Sequence, residues 1–170
     1  MKRILVPTDF SEHAEDALKV ASQIAKKNNS EIIILHMLEL PSQMNDAVLG
    51  GASIPETMLF MKKANEMLDQ VSSRPYLDGI SITEIVKIDK PIHGITQVSK
   101  EYEIDLIVMG SHGSSGIEEL LIGSNTEKVV RNSEIPVLVI KKEDANFSVS
   151  KFVFASDFSE EIKPSFTKVL

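Results

Sequence analysis

After Met109 the chain reads Gly110-Ser-His112-Gly113-Ser-Ser-Gly116, and after six intervening residues Gly123-Ser124-Asn125-Thr126 leads into Glu-Lys-Val-Val. Glycines let a ligand approach the main chain and expose its N–H groups. Ser124 and Thr126 add hydroxyl donors, and Gly123-Ser124 is placed to open a helix. The first N–H groups of a helix lack internal partners, and its positive dipole end favours an anion. Residue types and spacing therefore suit the holding of phosphates. They match neither the P-loop, since no Gly-Lys-Ser/Thr occurs, nor the dinucleotide pattern Gly-x-Gly-x-x-Gly.

Little else in the chain is arranged for bond-making. His13, His36, His93 and His112 show no metal-ligand spacing, and the serines form no evident Ser–His–Asp assembly. With zero Cys there is no thiol nucleophile, disulfide or thiolate metal site. No catalytic residue is assigned on this reading. His112 stands where it could touch a phosphate.

Elements must bring the glycine clusters together. Arg3-Ile-Leu-Val-Pro-Thr8 and Glu31-Ile-Ile-Ile-Leu-His-Met37 are short apolar runs that read as buried strands. Between them Ala14, Ala17, Leu18, Ala21, Ile24 and Ala25 form one helical face, with Ser11 as N-cap. Ser53-Ile-Pro-Glu56 has capping-box spacing and announces a second helix, its apolar face running from Phe60 and Met61 through Ala64, Met67 and Leu68 to Val71. Ile80 to Val86 alternates at period two, the pattern of an edge strand. Pro91 to Tyr102 reads as a short helix, Ile104 to Met109 as a strand, Thr126 to Asn132 as a helix and Pro136 to Ile140 as a strand. Strands alternating with helices imply βαβ units and a doubly wound, open parallel sheet, an α/β fold. Residues 39 to 54 make a long connection at the same rim, either a lid or an unstructured link.

The spacing Gly110-x2-Gly113-x9-Gly123-Ser124 resembles the nucleotide motif of the universal stress protein family. Pro7-Thr8-Asp9 after the first strand resembles that family's opening. Thr126-Glu-Lys-Val-Val-Arg and Ile135-Pro-Val-Leu-Val-Ile resemble its closing helix and strand, so the likeness spans residues 2 to 141. The resemblance implies five strands in the order 3-2-1-4-5, helices on both faces, and ATP across the ends of strands 1, 2 and 4. Carried over by position, Gly110, Gly113, Gly123 and Ser124 would hold phosphate and ribose, with Asn125 and Thr126 continuing the cradle. Thr8, Met109 and His112 would line the pocket, while Asp9 and the backbone around Met37 would meet the adenosine end. Asp9 suits ribose hydroxyls or an adenine amino group, and it could equally cap the first helix. Where such relatives often carry a basic residue after His112-Gly113, this chain has Ser114. AMP or ADP therefore stands beside ATP as a ligand, and Mg²⁺ could supply the missing charge.

The expected function is an adenine-nucleotide-binding stress or signalling protein, acting as a nucleotide-responsive switch or adaptor. The rivals are a slow ATP hydrolase or nucleotidyl-transfer enzyme, and a nucleotide-free dimerisation module. A net charge of −7 and no Trp argue against avid nucleic-acid binding. No apolar run approaches the roughly 20 residues of a membrane helix, no signal peptide is read at Met1-Lys-Arg, and the absence of Cys fits the cytoplasm. Arg3-Ile-Leu-Val-Pro-Thr-Asp-Phe-Ser-Glu12 recurs as Lys151-Phe-Val-Phe-Ala-Ser-Asp-Phe-Ser-Glu160. That repeat predicts a tandem organisation: a nucleotide-binding domain over 1–142, a linker over 143–150, and the truncated start of a second repeat over 151–170. The fully apolar strand Pro136–Ile140 predicts a homodimer joined through that edge.

Overall fold

The computed structural model describes residues 1–39, 54–112, 122–151 and 153. Five strands, β1 (Arg3–Thr8), β2 (Glu31–Leu38), β3 (Ile82–Ile88), β4 (Leu106–Gly110) and β5 (Val137–Ile140), form one parallel sheet in the order β3-β2-β1-β4-β5. Among the described residues four α-helices accompany them: α1 (Glu12–Asn28), α2 (Ile54–Ser72), α3 (Pro91–Glu101) and α4 (Ser124–Asn132). The α/β class and strand order expected from sequence are both present. The long connection 39–54, apart from its two ends, and nearly all of the repeat from Lys151 lie outside the described residues.

Alternation along each strand divides the core in two. Ile4, Val6, Ile32, Ile34 and Val108 face α1 and α2, packing with Ala17, Leu18, Ala21 and Leu68. Leu5, Ile33, Leu35, Ile107 and Met109 face the other way, toward Ile95 and Val98 of α3 and Val129 of α4. β1 and β2 are buried on both faces, which explains their unbroken apolar runs. β3 is an edge strand, as its alternation implied, and most of its residues are only half-buried.

One expectation needs correction. Phe60 is not a core residue: it is 42% exposed, and Met58 and Leu59 are 66% exposed. Burial in α2 is set by Ala64 and Leu68 further along. The segment after β5 is tied to α1. Lys19 Nζ meets the Glu143 carboxylate at 2.6 Å, Gln23 Nε2 donates to the Asp144 carbonyl at 2.6 Å, and Lys27 Nζ donates to the Phe147 carbonyl at 2.8 Å. The Phe147 N–H returns to Gln23 Oε1 at 2.9 Å, and its ring packs on the core face under α1. Lys19, Gln23 and Lys27 are four residues apart and so share one helical face, along which the segment runs as a strap.

Candidate functional site

β1 is paired with β2 along its whole length, from Arg3 opposite Glu31 to Thr8 opposite His36. Its pairing with β4 covers only Ile4 opposite Leu106 and Leu5 opposite Ile107. Beyond Leu5 the two central strands part, and a cleft opens between the end of β1 and the end of β4. This is where the strand order reverses, the place at which open α/β sheets take their ligands.

The cleft encloses about 290 Å³ and is lined by Pro7, Thr8, Asp9, Ala14, Leu35, Met37, Glu39, Pro91, Ile95, Met109, Gly110, His112, Gly123, Ser124, Asn125 and Thr126. Ten of the eleven residues singled out from sequence are therefore together: Thr8, Asp9, Met37, Met109, Gly110, His112, Gly123, Ser124, Asn125 and Thr126. Gly113, the eleventh, lies outside the described residues. A larger hollow of about 760 Å³ opens at the other end of the strands, among Lys2, Arg3, Lys26, Glu31, Glu103 and Asp105. There α1 ends, presenting the negative end of its dipole, and the cations Lys2, Arg3 and Lys26 share the hollow with the acids Glu31, Glu103 and Asp105.

Helix ends supply its electrostatics. At α1 the Ser11 hydroxyl accepts the Ala14 N–H at 3.3 Å, closing that end. At α4 the cap is Gly123, which has no side chain to offer. The Gly123 N–H donates to the Ser111 carbonyl at 2.7 Å, pinning the helix start against the end of β4. The N–H groups of Ser124, Asn125 and Thr126 then form the first turn, which has no internal acceptors. α3 likewise starts without a capping side chain, with Pro91 in its first turn at the cleft.

The hydroxyl of Thr126 is buried and donates to the Gly110 carbonyl at 2.9 Å. It ties the two glycine clusters together, and its proton is committed to that carbonyl. Opposite, the β1–α1 turn is held in shape locally. Phe10 has φ 64°, a left-handed conformation uncommon for a bulky residue. Thr8 Oγ1 accepts the Phe10 N–H at 3.0 Å and Asp9 Oδ1 accepts the Ser11 N–H at 3.1 Å. His36 Nδ1 donates to the Thr8 carbonyl at 2.9 Å, and its ring lies 4.4 Å from that of Phe10. Asp9 therefore braces the turn before α1 while bordering the cleft.

Neither Lys nor Arg is among the described residues lining this cleft. Negative oxygens would be met by backbone N–H groups, while Asp9 and Glu39 repel them. The apolar part of the wall is Pro7, Leu35, Met37, Ile95 and Met109. Leu35 and Met37 are two apart in β2 and share a face, a signal that could have marked Leu35 from sequence. Pro91 and Ile95 had no such signal. They reach the cleft because Gly94 admits Met37 against α3: a Cβ at Gly94 would lie 2.1 Å from Met37 Cε.

Comparison with known proteins agrees with this architecture. Residues 1–141 match the universal stress protein family. The chain is 29% identical over 157 residues to universal stress protein MJ0577 of Methanocaldococcus jannaschii, a match covering 85% of this chain and 97% of that protein. Universal stress protein YxiE of Bacillus subtilis is 29% identical over 145 residues, covering 82% and 98%. The solved structure of MJ0577 superposes with a TM-score of 0.71 at 32% identity, over 84% of this chain and 97% of that one. A universal stress protein solved in complex with cAMP shares the fold at 24% identity, with a TM-score of 0.58 over 82% of this chain and 96% of that one. With its sheet order, its cleft and this match over residues 1–141, the chain belongs to the universal stress protein family.

Proposed function

We infer that the chain binds an adenine nucleotide in the cleft between β1 and β4, and that it works as a nucleotide-responsive switch or adaptor in a stress response. One observation carries this reading: the uncapped first turn of α4 opens on the same cleft as the apolar wall of Leu35, Met37 and Ile95. Phosphates belong at Ser124 to Thr126 and the adenosine end at Met37, with Asp9 accepting from sugar or base. Triphosphate, diphosphate and monophosphate all satisfy that arrangement, and ATP makes fullest use of the N–H donors. The neighbour that holds cAMP shares the fold; for this chain the ligand is argued from the cleft. Among the described residues no group of three or more His, Cys, Asp or Glu could hold a metal ion. A Mg²⁺ accompanying ATP would thus be held by phosphate oxygens and water.

Equilibrium titration with a fluorescent ATP analogue tests the reading. Saturable one-to-one binding, competed by unlabelled ATP and lost in Gly123→Val, is expected. No saturation at millimolar nucleotide would leave the protein as a dimerisation module acting through contacts alone. ADP or AMP released well above the Gly123→Val background would instead favour the hydrolase.

Two further parts of the proposal concern assembly. Among the described residues the outer edge of β5 is unpaired, and a second copy is the partner proposed for it. The repeat beginning at Lys151 is proposed as the opening strand of a second unit of the same kind, on the strength of its Asp-Phe-Ser-Glu sequence.

A further inference from the structure

His13 lies in the first turn of α1 and His112 two residues beyond β4. Their ring centres are 5.5 Å apart, with planes inclined by 46°. Gly110 makes the approach possible, because a Cβ there would stand 2.7 Å from the His13 carbonyl oxygen. His13 Nδ1 and His112 Nε2 are both buried, and neither has a hydrogen-bond partner among the described residues. The other nitrogen of His112, Nδ1, is engaged with the Ser111 hydroxyl at 3.0 Å, which orients the ring.

Buried polar atoms are almost always paired, and those left unpaired in a native structure call for an explanation. Here two of them sit on neighbouring rings whose centres are 5.5 Å apart and which do not bond to each other; one ion reached by both nitrogens would satisfy both. Imidazole nitrogen is a preferred ligand of Zn²⁺, Cu²⁺ and Ni²⁺. With metal–nitrogen bonds of about 2.0–2.1 Å, the ion lies about 3 Å from each ring centre, and near-tetrahedral angles then hold the centres roughly 5 to 5.5 Å apart. The observed separation fits. A histidine ligand also commonly engages its second nitrogen with a protein partner, the relation that His112 has with Ser111.

We propose that His13 and His112 hold an imidazole-preferring divalent transition-metal ion, of which Zn²⁺ is representative, at the phosphate end of the cleft. Two protein ligands leave the remaining positions to water or an anionic oxygen. The site rests on these two side chains and is independent of the nucleotide reading.

Zn²⁺ titrated calorimetrically into the full chain without nucleotide tests it, with the visible spectrum of Co²⁺ as a second readout of nitrogen ligation. The exposed His93, paired with Asp89 at the start of α3, is the competing site, so His93→Ala is the control. One ion per chain is expected for the wild type and for His93→Ala. Affinity should fall more than about tenfold in His13→Ala and in His112→Ala. His13→Gln and His112→Asn, which keep the side-chain bulk, should lose it equally while retaining the wild-type circular dichroism. No uptake by the wild type, uptake untouched by removing either histidine, or uptake lost with His93 alone would overturn the proposal. With no nucleotide present, each of those results leaves the nucleotide reading standing.

Discussion

A Cβ at Gly110 would lie 2.7 Å from the His13 carbonyl oxygen and 2.8 Å from its carbon, both main-chain atoms with little room to yield. At Gly123 the backbone angles demand no glycine: its φ of −54° and ψ of 142° suit any residue. Gly110→Ala should therefore destabilise the fold by about 1–3 kcal/mol, read as a lower urea midpoint at unchanged slope. Gly123→Val should keep stability within about 0.5 kcal/mol of the wild type and act on nucleotide affinity instead. An unchanged midpoint for Gly110→Ala would mean that β4 and α1 are not held as tightly as these distances state. Both residues belong to one motif in sequence, where Gly110 reads as a phosphate residue. Its close approach to α1 is a tertiary fact that local spacing does not encode. Thr126 teaches the same lesson, since its hydroxyl reads as a ligand donor yet serves Gly110. Asp9 borders the cleft but does not cap α1: Ser11 is the cap, and the Asp9 carboxylate takes the Ser11 N–H in the turn before it.

Helices and strands were readable wherever one face is buried by a neighbouring layer. Ser11 caps α1 as its residue type implied, and β3 shows the edge strand's weaker burial. The order of the strands came from the family resemblance, because periodicity is blind to which strand lies beside which. The strap on α1 was hidden for a related reason: residues 143–147 have no period, and their partners Lys19, Gln23 and Lys27 read only as an exposed helix face. Gln23→Ala removes both an acceptor and a donor to the strap, and should cost about 1–2 kcal/mol. Hydrogen exchange at Phe147 should quicken in step, and unchanged exchange would show that the strap is held by something else. A tether at the opposite end of the sheet gives a pH prediction. Asp105 accepts the N–H groups of Lys2 and Arg3, the latter at 3.0 Å, joining the start of β1 to the segment before β4. Those bonds hold its carboxyl below the ordinary carboxylate value. Asp105 thus contributes stability above pH of about 4, lost as pH falls through its depressed folded-state value. Asp105→Asn should flatten the fall of the thermal midpoint in that acid range, and a parallel fall in both proteins would refute the tether.

At the scale of the whole molecule, the sheet formed by the described residues is closed on neither side. β3 and β5 are its edges, and β5 carries Val137, Leu138, Val139 and Ile140. Sedimentation at micromolar concentration should show a dimer, and Leu138→Lys should shift it toward monomer without changing the cleft; a wild-type monomer would refute pairing through β5. The parting of β1 and β4 beyond Leu5 is likewise a property of the assembled sheet. It turns two separate glycine-bearing stretches into one cleft, and the claim that this cleft holds a nucleotide is central. A crystal structure determined with excess ATP tests that claim most directly. Phosphate oxygens should lie within about 3 Å of the N–H groups of Ser124 and Asn125, with adenine against Met37. A cleft still empty at saturating ATP, or a nucleotide bound elsewhere on the sheet, would contradict it.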